Sequence, residues 1–338
     1  MLRNLFDPAE GERFLVLCDV PAPGHPANEA WSARREMAEE WRNQLAALRA
    51  DVPGVVHFPA VESGATQVNC DSFSSVLART SCAVVFCETH APLAWQRVLE
   101  AHPGLRIALI PAASRRMEEN TWNPDLPAVA RRVGHLRALM TRSVGMRVQF
   151  STGQEAYFDL RFQTAGHRDA DCRAGGPNRL VTLPGGEVWT GTYAGDGADP
   201  MCDTIGIIPF YQNGLLYQFF VERGRVVDVI GDGPQAMRYR AWFQDHADLC
   251  RIRRLGIGCN PRASVGRHRL KTRTAGFYWS IDSQPEPTRL HEPDPSTGQP
   301  PLDYCYAANQ PVVAVEVNLL LDDSREVVVV DAGRAVLE

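Results

Sequence analysis

The sequence predicts an α/β chain in two parts: a parallel sheet covered by helices over residues 1–143, then a β-rich α+β unit over residues 144–338. Three observations carry this. Short apolar runs alternate with amphipathic stretches in the first part. Glycine-punctuated strand patterns dominate the second. At 338 residues the chain also exceeds one average domain.

In the first part, Phe14–Val20 (FLVLCDV) is a short β-branched apolar run, the pattern of a strand buried on both faces. A helix is expected from Asn28 to Leu48, with Met37, Trp41, Leu45 and Leu48 on one face. Val55–Phe58, Ala83–Phe86 and Leu105–Ile110 repeat the strand signature, separated by helices at Ser72–Ala78 and Leu93–Ala101. Leu126–Met140 closes the unit as a helix, its stripe formed by Val129, Val133, Leu136 and Met140. Strands alternating with helices give a Rossmann-like arrangement. The dinucleotide fingerprint is missing, because the chain reads PAPGHPANEA after Val20; nicotinamide and flavin are not expected.

In the second part, strands are expected at Met146–Ser151, Glu155–Phe162, Arg179–Leu183, Glu187–Tyr193 and Thr204–Phe210. Leu215–Val221 and Val226–Ile230 form a hairpin around the turn ERGR, and a helix from Pro234 to Leu249 starts on a proline suited to its first turn. Strands resume at Arg251–Gly258, Ala275–Ile281, Val312–Leu321 and Glu326–Val330. The proline-rich stretch Ser283–Gln310 reads as a covering loop, with a disordered segment as the alternative. The GDG triplets at 195–197 and 231–233 read as turns.

Composition narrows the function classes. A net charge of −5 argues against nucleic acid as the main partner, because phosphate binding needs a basic surface. No apolar run approaches the roughly 20 residues that cross a bilayer, so no membrane association is expected. The opening MLRNLFDPAEGE has acidic groups where a secretory signal has a basic start and an apolar core, which points to a cytoplasmic protein. The nine cysteines include no CxxC pair, and Cys18, Cys82 and Cys87 fall in apolar runs, so they read as buried thiols that pack as small apolar groups.

Three segments of the second part carry a resemblance: LPGGEVWTGTYAGDGADP (183–200), RLGIGCNPRA (254–263) and VEVNLLLDDSREVVVVDAG (315–333). In this order and spacing, behind a Rossmann-like half, they resemble a superfamily over nearly the whole chain. It contains metallo-aminopeptidases of the aminopeptidase T type and iron-dependent 2,5-dihydroxypyridine dioxygenases. The resemblance implies a β-rich second half of the thermophilic metallo-aminopeptidase type, and a homodimer. It also implies metal ligands at defined positions. Glu187 matches the glutamate after the PxGE turn. Arg254 stands where the aminopeptidases have a second glutamate and the dioxygenases a histidine. Glu316 and Asn318 stand where both branches have a His-x-Asp pair, and a further histidine position falls near Tyr278 or Trp279.

Arginine has only donors and a permanent charge, so it cannot ligate a cation. A catalytic metal needs about three lone-pair ligands and an open position. No metal or other cofactor is therefore expected. Arg254 is expected either to replace the cation and pair with Glu187, Glu316 or both, or to point to solvent.

Other residues weigh less. Arg267, His268, Arg269, Lys271 and Arg273 read as a solvated basic loop, with reception of a carboxylate ligand as the functional alternative. Phe277, Tyr278 and Trp279 fall where a pocket wall is implied, and strand alternation sends one side to the core and the other to the pocket. Tyr304 and Tyr306 are weaker ligand contacts. His90, His246 and His291 read as exposed. No Ser/His/Asp set follows from spacing.

The candidate ligand-binding residues are thus Glu187, Arg254, Tyr278, Trp279, Glu316 and Asn318, with none assigned to catalysis. The chain also resembles the metal-less, peptide-binding members of this superfamily in pathways to ribosomally made peptide natural products such as crocagin. That implies a protein that holds a precursor peptide while separate pathway enzymes modify it. The alternatives are an aminopeptidase- or dioxygenase-like enzyme with a divalent ion on Glu187, Glu316 and Asn318, and a metal-free enzyme using Glu187 or Glu316 as general acid or base.

Overall fold

The computed structural model describes residues 1–21, 28–62, 65–114, 121, 124–176, 178–195, 201–266, 269–281, 299–300 and 302–337. Its first half runs α1 (Leu2–Phe6), β1 (Phe14–Val20), α2 (Glu29–Ala47), β2 (Val55–Pro59), α3 (Ser74–Leu77), β3 (Cys82–Cys87), α4 (Pro92–Ala101), β4 (Arg106–Pro111) and α5 (Leu126–Thr141). Every residue of β3 and β4 is buried, as expected of strands covered on both faces. Phe14, Val16 and Cys18 of β1 pack into one core with Met37, Trp41 and Leu45 of α2. Leu15 and Leu17 enter the opposite core with Trp95 and Leu99 of α4. Asn28 starts α2 by accepting a hydrogen bond from the Trp31 N–H, which satisfies one of the helix's open donors. Trp41 meets Phe86 edge-on at 5.2 Å, and Trp95 meets Phe58 edge-on at 5.6 Å.

The remaining strands are β5 (Ser143–Phe150), β6 (Glu155–Asp159), β7 (Gly166–Arg168), β8 (Leu180–Thr182), β9 (Glu187–Gly191), β10 (Ile205–Gln212), β11 (Leu215–Glu222) and β12 (Arg225–Ile230). They continue through β13 (Arg254–Gly258), β14 (Phe277–Ser280), β15 (Asp303–Cys305), β16 (Ala314–Leu321), β17 (Glu326–Asp331) and β18 (Arg334–Ala335). Helix α6 (Pro234–Asp245) is shorter than expected and is followed by a 3-10 turn at Ala247–Leu249. Helix α7 (Arg269–Arg273) precedes β14.

Three sheets result. The first is parallel, in the order β2-β1-β3-β4-β8. Its last strand, Leu180–Thr182, was expected among the strands of the second half. Val181 instead joins the core of the first sheet, a choice of sheet that an isolated apolar triplet cannot signal. The second sheet is antiparallel, in the order β12-β11-β10-β6-β5-β16-β17-β18, and includes the expected hairpin β11–β12. The third, β15-β14-β13-β9-β7, is also antiparallel.

The second and third sheets stack face to face. Phe150 and Phe158 of the second stand 6.5 and 6.2 Å from Phe277 of the third, and Phe219 stands 5.4 Å from Trp279. The chain is therefore mixed α/β, with a parallel helix-covered sheet and a β-rich two-sheet unit. Among the described residues no helix is long and apolar enough to cross a membrane.

Candidate functional site

Strand register places a set of polar residues on the outer face of the third sheet. Arg168 pairs with Glu187 and Glu187 with Gly258; Trp189 lies opposite Gly166 and Gly256. Arg254 lies opposite Gly191 and Ser280, Tyr278 opposite Gly256 and Cys305, and Ser280 opposite Asp303. Because side chains alternate along a strand, Arg168, Glu187, Trp189, Arg254, Tyr278 and Asp303 share one face. Val188, Leu255, Ile257, Phe277 and Trp279 point the other way, into the core against the second sheet.

Glycines give this face its depth. A Cβ on Gly166 would come within 2.5 Å of the Trp189 ring, and one on Gly256 within 2.4 Å of the Tyr278 ring. The two rings lie over strand positions that carry no side chain. Gly258 admits the backbone of Thr274, which would stand 2.1 Å from an added Cβ. The LGIG run is therefore a close-approach surface.

Glu187 is wholly buried. The Arg168 guanidinium stands 2.7 Å from its Oε1, as an ion pair whose angle is not that of a hydrogen bond. The Tyr278 hydroxyl donates to the same oxygen at 3.5 Å, the long limit for such a bond. Oε2 has no hydrogen-bond partner among the described residues. Behind Tyr278, the buried Arg273 stacks over its ring at 4.9 Å and pairs with Asp303 at 2.6 Å. Acid and base thus alternate across the face: Arg168, Glu187, Arg273, Asp303.

Several expectations need correction. Arg254 does not pair with Glu187 or Glu316. It sits four residues along β13 from the position opposite Glu187, with its guanidinium 5.0 Å above the Trp189 ring. The cation at Glu187 is Arg168, which sequence reading missed because the three-residue strand Gly-His-Arg carries no apolar alternation. Trp279 points into the core, where its indole N–H donates to the Tyr306 hydroxyl at 2.6 Å. Tyr306 in turn donates to the Pro209 carbonyl at 2.7 Å, and Tyr304 packs against Tyr306, so both tyrosines are structural. Glu316 and Asn318 are bonded to each other, the amide donating at 2.6 Å. They lie on the second sheet, opposite in direction to Val317 and Leu319 of the core. The whole two-sheet stack therefore separates them from Glu187, and a cation shared by Glu187, Glu316 and Asn318 within one chain is not assembled.

The solvated basic loop also changes. Arg273 is buried, Arg269 opens α7, and Arg267 and His268 lie outside the described residues. His291 and most of the expected covering loop also lie outside them, while Asp303–Cys305 of that stretch is strand β15. His246 is half-buried and stacks on Trp242 at 4.3 Å. His90, also half-buried, has Nε2 3.1 Å from the Thr182 hydroxyl. All nine cysteines are free thiols, and burial pushes Cys259, at the end of β13, up to about 12. No thiolate is available beside Glu187 at neutral pH.

At its end nearest Trp189, the face opens on a cavity of about 370 Å³. The first sheet contributes β8, together with His90 to Leu93 at the start of α4; the third sheet contributes Arg168, Trp189 and Arg254. The cavity lies beside the carboxyl ends of β3 and β8, the end at which open α/β sheets bind ligands.

The divalent metal that the resemblance implies does not fit these residues. Of the family's positions on this face, Glu187 alone is an acid, and one of its oxygens already faces Arg168. Arg254 adds a second fixed positive charge. Among the described residues no group of three or more His, Cys, Asp or Glu side chains could hold a metal ion.

Comparison with known proteins bears on the fold. No family model and no curated protein matches the chain. Several solved structures do, two of them as follows. One is 2,5-dihydroxypyridine dioxygenase from Pseudomonas putida KT2440, with TM-score 0.59, 16% identity, and coverage of 97% of this chain and 92% of that one. The other is AmpT from Thermus thermophilus, with TM-score 0.54, 15% identity, and coverage of 99% and 96%. The chain has their fold. At such identities the likeness establishes the architecture alone, which includes that of a metallo-aminopeptidase.

Proposed function

We propose that this chain is a metal-independent, non-catalytic peptide-binding protein that works as a homodimer. In this reading it holds a precursor peptide in ribosomal peptide natural-product biosynthesis while separate enzymes modify it. The observation that carries the reading is the Arg168 guanidinium 2.7 Å from Glu187. A fixed cation occupies the acid that a metal would need, and it cannot leave as a metal-bound water would. The cavity beside Trp189 supports a binding role. It has room for one or two side chains, and its wall combines apolar groups with a few polar ones, the usual make-up of a ligand site.

Metal analysis of the purified protein tests the first part, and calorimetric titration with synthetic peptides tests the second. Substoichiometric metal and saturable, enthalpically visible peptide binding are expected. One tightly bound metal per chain, lost on Glu187→Ala, would overturn the reading.

A further inference from the structure

We propose that the cavity at the far end of β13, away from Arg254, is a second ligand site, which takes a phosphate-type oxyanion between Arg132 and Arg334. The proposal does not depend on the peptide reading.

This cavity has a volume of about 280 Å³ and opens beside Gly258 and Cys259, where β13 ends. The fold brings distant segments to it. Arg132 belongs to α5, three residues after Val129 and four before Leu136, so its stem runs beside the buried stripe of that helix. Ala307 to Asn309 follow β15, and Arg334 and Ala335 form β18. Gly333, with φ at 76°, admits the chain at Ala308, whose nitrogen would stand 2.6 Å from an added Cβ. That close approach brings Asn309 to the same cavity as Arg334.

The charge around the cavity has one sign. Among the described residues its lining includes two arginines and no acid. Arg132 is half-buried, and its Nε donates to the Leu337 carbonyl at 3.2 Å. That bond orients the guanidinium and leaves its two terminal amino groups without a partner among the described residues. Arg334 forms no ion pair among them either, although Asp331 stands opposite it on β17. Glu187, opposite Gly258, is already answered by Arg168. Burial raises the Cys259 thiol at the cavity floor to about 12, and the Arg132 guanidinium opposes that rise, so its positive field reaches the floor.

The neutral groups define which anion fits. The Ser264 hydroxyl and the Asn309 amide line the wall and have no partner among the described residues. Asn260, by contrast, uses its side chain to donate to the Thr121 carbonyl at 2.9 Å and to accept from the Arg262 N–H at 3.0 Å. A carboxylate has two oxygens in one plane, which a single guanidinium satisfies. Two guanidiniums with a hydroxyl and an amide match the larger set of acceptors on a phosphate. The remaining wall includes Ala263, Ala275, Ala307, Ala308 and Ala335, small side chains that leave room and add no charge.

The test is calorimetric titration of the full chain with inorganic phosphate and with acetate at matched ionic strength, so that screening is the same in both. Phosphate should bind saturably and at least about tenfold more tightly than acetate. Arg132→Gln and Arg334→Gln should each weaken phosphate binding by at least about tenfold. Arg79→Gln, which removes an exposed arginine outside the cavity, should leave it unchanged. Arg132→Gln also loses the bond to the Leu337 carbonyl, so Arg334→Gln carries the same test at an exposed side chain with no such bond to lose. Methyl phosphate separates the two sources of the anion. Binding as tight as that of inorganic phosphate points to a phosphate ester, and rejection points to the free anion; both support the oxyanion site. No phosphate binding up to millimolar concentration overturns the proposal. So does equal binding of phosphate and acetate, phosphate binding that survives both cavity variants, or an equal loss in Arg79→Gln.

Discussion

The guanidinium of Arg168 and the carboxylate of Glu187 face each other at 2.7 Å across the paired strands β7 and β9, and both side chains are almost wholly removed from water. Taking one charge away leaves the other buried without compensation. Arg168→Ala and Glu187→Ala should each cost about 3–5 kcal/mol in urea unfolding, and the double variant should cost clearly less than their sum. The exposed pair Arg147–Glu326, at 2.8 Å with about two-fifths of each side chain in water, is the contrast. Breaking it should cost no more than about 1 kcal/mol. Additive losses for Arg168 and Glu187 would show that they are not coupled.

How far this site could be read from sequence depends on which structural relation is asked for. The β1 and β3 runs announce buried parallel strands because every residue in them except Asp19 is apolar. Alternation correctly divides Tyr278 from Trp279, but it cannot say which of the two faces the core, since that is decided by what stacks on the sheet. Glu316 and Asn318 fail for the same reason at a larger scale. Their spacing puts them on one face of a strand, yet nothing local says that this strand belongs to the second sheet and faces away from the third. Arg168 and Asp303 sit on three-residue strands inside polar stretches, too short to show a period. Their partners come from pairing across 19 residues and across 30, which only the folded sheet reveals.

Two glycines of similar local appearance should respond to alanine with opposite signs. A Cβ at Gly256 would stand 2.4 Å from the Tyr278 ring, in a buried sheet with little room to yield. Gly256→Ala should destabilise by roughly 1–3 kcal/mol and disturb the Tyr278 environment. Gly134 lies inside α5, exposed, with nothing within 4 Å of an added Cβ. Gly134→Ala should stabilise by about 0.5–1 kcal/mol through helix propensity and a less flexible unfolded chain. Urea midpoints of the two variants beside the parent check both signs.

Metal addition gives a test that needs no ligand. A site held at a hundredfold excess of free metal over its Kd would stabilise the chain by about 2.7 kcal/mol, a plain rise in Tm. Zinc, manganese and ferrous ions should each leave Tm unchanged, because Arg168 and Arg254 supply positive charge where the ion would bind. In Arg168→Gln the acid is released from its guanidinium, and any metal response should appear there first. A rise in Tm for the parent chain would contradict the fit of these residues.

The pH dependence turns on His167, on β7 beside Arg168. Burial lowers its pKa first, the Arg137 guanidinium of α5 lowers it further, and Asp169 opposes both. The folded state therefore prefers the neutral ring and binds fewer protons than the unfolded chain, whose histidine titrates near about 6.5. Stability from this residue is complete above that value and is lost as the pH falls through the lower folded value. Between about pH 7.5 and 5.5 the parent should lose more stability than His167→Gln, in which this titration is absent. Three carboxylates titrate below their ordinary range and leave this window undisturbed: Asp159 and Asp171, where burial is outweighed by the Arg161 and Arg173 partners, and Asp323, held down by Arg325. Urea midpoints at the two pH values measure the difference, and equal losses for parent and variant would remove His167 from the account.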